Sequence, residues 1–164
     1  MRPADDPEFF ERPAPDGRSR ESSIRLDAHG NFWHAGDRVE NQRMRSAFGR
    51  WVSLHPNGRF ILNNGYDWSY LSVEDTGWFV VRVRDTEGGP RLVFSDGTEQ
   101  FLTESELFRL PNEALYARLH ERGMNARFTR EAALMLGPWL TESESGALSI
   151  QVGGQTNPIK LFTT

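Results

Sequence analysis

Histidine is the first residue type to consider for metal chemistry, since neutral imidazole is a common metal ligand and the chain contains no cysteine. The four histidines lie at positions 29, 34, 55 and 120. Only His29 and His34 are close in sequence, and the chain has no H-E-x-x-H pattern. We interpret His29 as a turn residue and His34 as a half-buried strand residue. The sequence therefore predicts no metal site.

Covalent catalysis and phosphate binding have equally little support. No serine lies in a G-x-S-x-G pattern, and the lack of cysteine excludes a thiolate nucleophile. The glycine pairs at 88–89 and 153–154 fall in predicted turns, whereas a phosphate cradle needs a Gly-rich loop that leads into a helix. Among the carboxylates of residues 85–106, Asp85, Glu87 and Asp96 fall in predicted turns open to water. We assign no catalytic residue and expect no cofactor.

The segment 63–70 has the composition most typical of a binding surface. It contains asparagine, glycine and serine between aromatic residues, and rigid rings beside small polar residues are common in binding sites. In an extended chain Tyr66, Trp68 and Tyr70 project to one side and Asp67 to the other. Two interpretations stay open: the rings form an exposed stripe that binds a partner, or they pack one face of a sheet.

Three arginines give a predicted helix a local positive charge. Arg43, Arg45 and Arg50 lie in the segment 41–54, which contains no acidic residue. They flank the apolar face of the helix on both sides. They either contact an anion or an acidic partner, or they lay their aliphatic stems over the edges of the apolar face.

Two adjacent phenylalanines are the only large apolar side chains in residues 2–22. Phe9 and Phe10 lie among prolines and charged residues, in a segment that cannot bury enough apolar surface to fold by itself. Either the segment folds back and fills an apolar groove of its own domain, or the two rings form a short linear motif for a partner.

Composition and charge limit the classes of protein to which the chain can belong. Its 164 residues are 37% hydrophobic and 12% aromatic, which predicts a folded core rich in rings. The formal net charge of −4 argues against a protein dominated by nucleic-acid electrostatics. No stretch has the apolar length of a membrane-spanning helix. We expect a soluble, cytoplasmic protein without a membrane partner, and the sequence carries no strong signal for nucleic-acid binding.

Residues 23–88 are predicted to form an N-terminal α+β part. Alternating apolar residues and turn signals predict a hairpin over 24–34. Apolar residues at helical spacing then predict a single amphipathic helix over 41–54, with Phe48 and Trp51 on its buried face and Gly49 on its polar side.

Residues 89–164 are predicted to form a mainly-β part that packs on the first, and residues 1–22 a flexible acidic, proline-rich tail. Turn signals roughly 8 to 12 residues apart predict an antiparallel meander over 59–102, which begins in the N-terminal part and continues into this one. Residues 111–123 fit either a helix or a strand. Thr129 is expected to cap a short helix, followed by a final hairpin over 147–162.

The order of segments along the chain carries a family resemblance. The matching segments are SIRLDAHGNFWHAGDRV (23–39), GRFIL (58–62), LSVED (71–75), WFVVRV (78–83), LYARL (115–119), NARFTR (125–130) and GALSIQVGG (146–154). In this order, over residues 23 to 160, the chain resembles the bacterial family of proteins of unknown function numbered 1285.

The resemblance implies a fold rather than an activity. It implies an α+β fold of antiparallel strands with one main amphipathic helix, followed by a mainly-β, roll-like C-terminal part with one short helix. It favours a strand at 115–119. No catalytic residue follows from it, because no activity is established for the family.

These observations favour a non-enzymatic binding or adaptor protein with a protein partner. It would present the 63–70 loop, with the Phe9 and Phe10 motif as a second contact. The alternative is a small enzyme or small-molecule-binding protein with a pocket between the two β parts, using residues such as His34, Arg43 and Asp67. The sequence does not predict the oligomeric state.

Overall fold

The computed structural model describes residues 6–119 and 124–162 of the chain. The chain divides into two compact units, Met1–Gly77 and Trp78–Thr164. Strands predominate in the described parts of both units, and each has one α-helix. The predicted α+β class is therefore confirmed.

The described part of the N-terminal unit contains two sheets of short strands and one α-helix. The elements are β1 (Ile24–Leu26), β2 (Phe32–His34), β3 (Asp37–Arg38), α1 (Gln42–Trp51), β4 (Val52–Leu54), β5 (Phe60–Asn63), β6 (Trp68–Tyr70) and β7 (Ser72–Val73). One sheet has the order β3-β2-β1-β7 and the other β4-β5-β6. The predicted first hairpin is confirmed as β1–β2, in which Ile24 is opposite His34.

Helix α1 is shorter than predicted, and the residues that it buries differ from the predicted ones. It begins where the side chain of Asn41 accepts hydrogen bonds from the backbone N–H groups of the two residues after Gln42, at 3.0 and 3.1 Å. It ends at Trp51, and the chain continues directly as β4, which pairs with β5. Phe48 and Trp51 are half-buried, and Gly49 is buried, so its predicted place on the polar side is wrong.

The turn between β1 and β2 is organised by one buried carboxylate. Asp27 accepts hydrogen bonds from the backbone N–H groups of His29 and Asn31, each at 2.9 Å, and from Nε1 of Trp33 at 2.9 Å. Burial acts to raise the pKa of Asp27, but these hydrogen bonds outweigh it and hold the pKa below its ordinary value. The ionised carboxylate therefore stabilises the hairpin.

Replacing Asp27 by Asn should lower the free energy of unfolding by about 1 to 3 kcal/mol at neutral pH, because a charged acceptor is lost. Since the folded pKa is depressed, the stabilisation is present above the unfolded pKa of about 4 and is lost as the pH falls through the folded value. Urea unfolding at several pH values checks this. A difference between wild type and Asp27→Asn that does not shrink below pH ~4 would contradict it.

The C-terminal unit contains the longer strands. Its described elements are β8 (Trp78–Thr86), β9 (Gly89–Phe94), β10 (Glu99–Phe101), β11 (Leu107–Arg109), β12 (Leu115–Leu119), β13 (Met124–Phe128), α2 (Arg130–Met135), β14 (Leu140–Glu142), β15 (Leu148–Val152), β16 (Gln155–Pro158) and β17 (Lys160–Leu161). The larger sheet has the order β10-β9-β8-β13-β12-β11-β17, and the smaller β14-β15-β16. Pairing is antiparallel except for β8 with β13 and β11 with β17.

Several sequence predictions can be compared with this unit. The strand favoured at 115–119 is confirmed as β12, and Thr129 caps α2 by accepting from the N–H of Ala132 at 3.2 Å. The final hairpin ends earlier than predicted, at Pro158, after which β17 pairs with β11 instead. The expected boundary at residue 88 lies within the β8–β9 hairpin, whose ladder joins both strands.

Both helices of the described residues fall short of the length and apolar character that a membrane-crossing helix needs.

Candidate functional site

A tight turn separates the rings of the 63–70 loop. The side chain of Asn64 accepts hydrogen bonds from the backbone N–H groups of Tyr66 and Asp67, each at 2.8 Å. The chain thereby reverses before β6, so Tyr66 and Trp68 do not project to one side as they would in an extended segment. Tyr66 is 75% exposed, Trp68 is 5% exposed and Tyr70 is half-buried. The loop therefore does not carry a continuous stripe of three exposed rings.

Trp68 and Tyr70 belong instead to a cluster that we call the aromatic site, formed by His55, Ile61, Trp68 and Tyr70. The rings of Trp68 and Tyr70 lie 5.1 Å apart in an edge-to-face arrangement. The His55 ring lies 4.8 Å from Trp68 and 5.7 Å from Tyr70. Ile61, on the neighbouring strand β5, is fully buried. Strands β5 and β6 thus position Ile61 and the rings of Trp68 and Tyr70, and the turn between β4 and β5 adds the ring of His55.

The aromatic site is filled by the chain's own N-terminal segment. Phe9 is 3% exposed and forms one buried cluster with Ile61 and Trp68. Phe10 is half-buried against the same cluster, with its ring 5.2 Å from His55 and 6.0 Å from Trp68. The N-terminal segment therefore folds back and fills an apolar groove of its own domain, which was the first of the two interpretations of the phenylalanine pair. We call residues 6–12 the docking segment.

The docking segment is a self-contained turn. The side chain of Asp6 accepts a hydrogen bond from the N–H of Glu8 at 2.9 Å, and its carbonyl accepts one from the N–H of Phe9 at 3.0 Å. Pro7 follows Asp6, where its fixed φ favours such a turn and no N–H is lost. Asp6 also forms an ion pair with Arg12. The local sequence therefore presents Phe9 and Phe10 without help from a strand or helix.

Arg20 connects the docking segment to the aromatic site. Its guanidinium donates from Nη2 to the carbonyl of Arg12 at 3.0 Å and from Nη1 to the carbonyl of Trp68 at 2.7 Å. It also pairs with the carboxylate of Asp67, and its Cζ lies 4.5 Å from the centre of the Trp68 ring. The planar guanidinium thus uses several donors and its face at once.

A second arginine covers the other end of the site. Arg59 forms a bidentate ion pair with Glu21, at 2.9 and 3.0 Å, and its Cζ lies 3.5 Å from the centre of the Tyr70 ring. The hydrogen bond from Arg59 holds the pKa of the Glu21 carboxyl below its ordinary value. The Tyr70 hydroxyl accepts a hydrogen bond from Asn57 at 3.0 Å. These contacts fix the orientation of the Tyr70 ring.

The predicted arginines of α1 are placed apart from these contacts. Arg43 and Arg50 are exposed and Arg45 is half-buried. A pocket of about 180 Å³ adjoins the aromatic site, and Phe48 and Trp51 of α1 line it together with Trp68. The arginines are not among its lining residues.

The remaining depressed carboxylate pKa values have surface causes. A hydrogen bond from Arg84 holds the pKa of Glu99 below its ordinary value, and one from Lys160 does the same for Glu106. Within the described parts of the chain, no three His, Asp or Glu side chains come together as metal ligands would. His120 lies outside the described residues.

Sequence reasoning missed two members of the aromatic site, His55 and Ile61, and the two arginines that contact it, Arg20 and Arg59. Arg20 lies in the segment expected to be a tail, and His55 follows the helix in a stretch interpreted only as its end. The pairing of these residues with Trp68 and Tyr70 depends on contacts distant in sequence. The one signal available was the phenylalanine pair itself, which requires an apolar surface somewhere in the protein.

The fold and the aromatic site together define an α+β protein with a turn-forming N-terminal segment packed into its N-terminal unit. A DUF1285 family protein from Silicibacter pomeroyi has a similar fold, with a TM-score of 0.60 over 85% of this chain and 80% of that chain, at 17% sequence identity. The resemblance implied by the order of segments is thus confirmed at the level of the fold.

A DUF1285 family protein from Shewanella baltica aligns with 68% of this chain and 87% of its own chain, at 16% sequence identity and a TM-score of 0.49. No family model and no curated protein matches the chain.

Proposed function

We propose that this chain is a non-enzymatic binding protein whose aromatic site binds a partner segment carrying two adjacent phenylalanines. One observation carries the proposal. Phe9, in a turn outside any strand or helix, is buried against Ile61 and Trp68. The docking segment is then an internal ligand that occupies the site until a partner segment replaces it.

The contacts of the docking segment favour such an exchange. Its backbone hydrogen bonds are local, from Phe9 to Asp6 and from Glu11 to Glu8. Its polar contact with the site is the hydrogen bond from Arg20 to the carbonyl of Arg12. A carbonyl is present in every peptide, so Arg20 can make the same contact with a partner. The specificity therefore lies in the two rings.

The sequence of the docking segment defines the partner that would fit. An acidic residue followed by proline begins the turn, and two aromatic residues follow after one further position. Burying each ring contributes about 1.5 to 3 kcal/mol. A tethered segment competes as if it were present at roughly millimolar concentration. A partner segment must therefore bind more tightly than the internal one or displace it at high local concentration.

Peptide binding in trans tests the proposal. In the full chain carrying Phe9→Ala and Phe10→Ala, we expect the aromatic site to be free of phenylalanine rings. We expect a peptide of residues 6–12 to bind this variant and raise its melting temperature. We expect the peptide to bind wild type at least roughly tenfold more weakly than it binds the double variant, because the internal segment competes for the site. Isothermal titration calorimetry measures both affinities.

The matched control is the same peptide with alanine at both phenylalanine positions, which should not bind. Circular dichroism establishes that the double variant is folded before the titration. A folded double variant that fails to bind the wild-type peptide, or binds both peptides equally, would contradict the proposed function.

A further inference from the structure

The C-terminal unit contains a pocket that the proposed function does not use. Its volume is about 370 Å³, within the range of pockets that hold small molecules. Apolar side chains from several elements form the walls, including Leu115, Leu136, Leu140, Leu148 and Ile159. Leu136 and Ile159 are buried and Leu115 and Leu148 are half-buried, so the floor is apolar and buried and the mouth is open to solvent. Such a pocket accepts an apolar group of a few carbon atoms.

Charges of both signs lie on the same pocket. Arg109, at the end of β11, lines it together with Glu113 and Glu142. Among the described residues, no ion pair within 4.0 Å joins Arg109 to either glutamate or to any other carboxylate. Arg109 is half-buried, and both glutamates are exposed. A cation and two carboxylates thus border one apolar pocket without neutralising one another by direct contact.

Glu113 has a backbone conformation that is unfavourable for a residue with a side chain. Its φ is 65°, in the left-handed region that side chains other than glycine seldom adopt. Its N–H donates to the carbonyl of Leu110 at 2.9 Å, which closes the turn between β11 and β12. Glycine is the usual residue for this backbone conformation. A glutamate here brings a carboxylate to the pocket where the turn alone would favour glycine.

We propose that this pocket binds a free hydrophobic α-amino acid. Such a molecule carries a carboxylate, an ammonium and an apolar side chain on one carbon atom, which matches the three features of the pocket. The side chain would lie among the leucines, the carboxylate would pair with Arg109, and the ammonium with Glu113 or Glu142. A bidentate arginine pair is the geometry that proteins use for free carboxylates.

Leucine and two of its fragments test the proposal on wild-type protein. Isocaproate is leucine without its amino group, and isopentylamine is leucine without its carboxylate. We expect leucine to shift the methyl resonances of Leu115, Leu136 and Ile159 with a dissociation constant below about 1 mM. We expect each fragment to bind at least roughly tenfold more weakly, because one charged contact is lost.

Two substitutions assign the charged contacts. Arg109→Gln should abolish the advantage of leucine over isopentylamine, and Glu113→Gln should reduce its advantage over isocaproate. Arg82→Gln, an exposed change on β8 outside the pocket, is the control and should leave all three affinities unchanged. Leucine that moves none of these resonances at about 10 mM, or fragments that bind as well as leucine, would overturn the proposal. The wild-type comparison decides the matter even if a variant does not fold.

Discussion

Replacing Phe9 by alanine is expected to lower the free energy of unfolding by about 3 to 5 kcal/mol. Phe9 is 3% exposed and shares one buried cluster with Ile61 and Trp68, so truncation of its ring removes apolar burial and leaves a cavity. This is a large effect for a residue so close to a chain terminus, where substitutions are ordinarily tolerated. Urea unfolding followed by tryptophan fluorescence measures it.

The neighbouring phenylalanine provides the internal control. Phe10 is half-buried against the same cluster, so Phe10→Ala should cost less, about 1 to 2 kcal/mol. If both variants lose less than about 0.5 kcal/mol, the range of an ordinary surface change, then the docking segment does not occupy the aromatic site in solution.

Replacing Gly77 by alanine is expected to cost about 1 to 3 kcal/mol through overpacking. A Cβ at this position would lie 2.6 Å from Cε1 of Phe60 and 2.9 Å from Cγ1 of Val52. Val52 is buried on β4 and the half-buried Phe60 lies on the neighbouring strand β5, so the added Cβ presses on two paired strands of the sheet β4-β5-β6. The same sheet carries the aromatic site, and thermal unfolding measures the loss.

Gly154→Ala is the matched control, because a Cβ there meets nothing within 4 Å. Its effect should stay within about 0.5 kcal/mol. Equal stabilities of the Gly77→Ala and Gly154→Ala variants would show that the packing around Val52 and Phe60 is looser than described.

Local patterns predicted the elements of this fold well where a single segment determines its own structure. The β1–β2 hairpin and the cap at Thr129 follow from residues close in sequence. The end of α1 at Trp51 could not be predicted, because Val52 and Leu54 continue the helical spacing but pair with β5. Likewise β17 could not be predicted, because it forms by parallel pairing with β11, which is distant in sequence. Tertiary contacts outweighed local propensity at both places.

The aromatic site was predicted only in part, for a related physical reason. Trp68 and Tyr70 were identified by composition, and Phe9 and Phe10 by their isolation in a polar segment. The docking of Phe9 and Phe10 on Trp68 and Tyr70 is accompanied by hydrogen bonds from Arg20 to the carbonyls of Arg12 and Trp68. A carbonyl acceptor has no sequence signature, so no residue pattern could reveal this link.

The indole resonance of Trp68 tests the central claim most directly. Nε1 of Trp68 is buried and makes no hydrogen bond to the described residues, so its chemical shift reports the packing of rings around it. In isotope-labelled full chain carrying Phe9→Ala and Phe10→Ala, we expect the peptide of residues 6–12 to move this resonance toward its wild-type position. The indole resonance of Trp139, in the C-terminal unit, should not move. A bound peptide that leaves the Trp68 resonance in place would contradict the account.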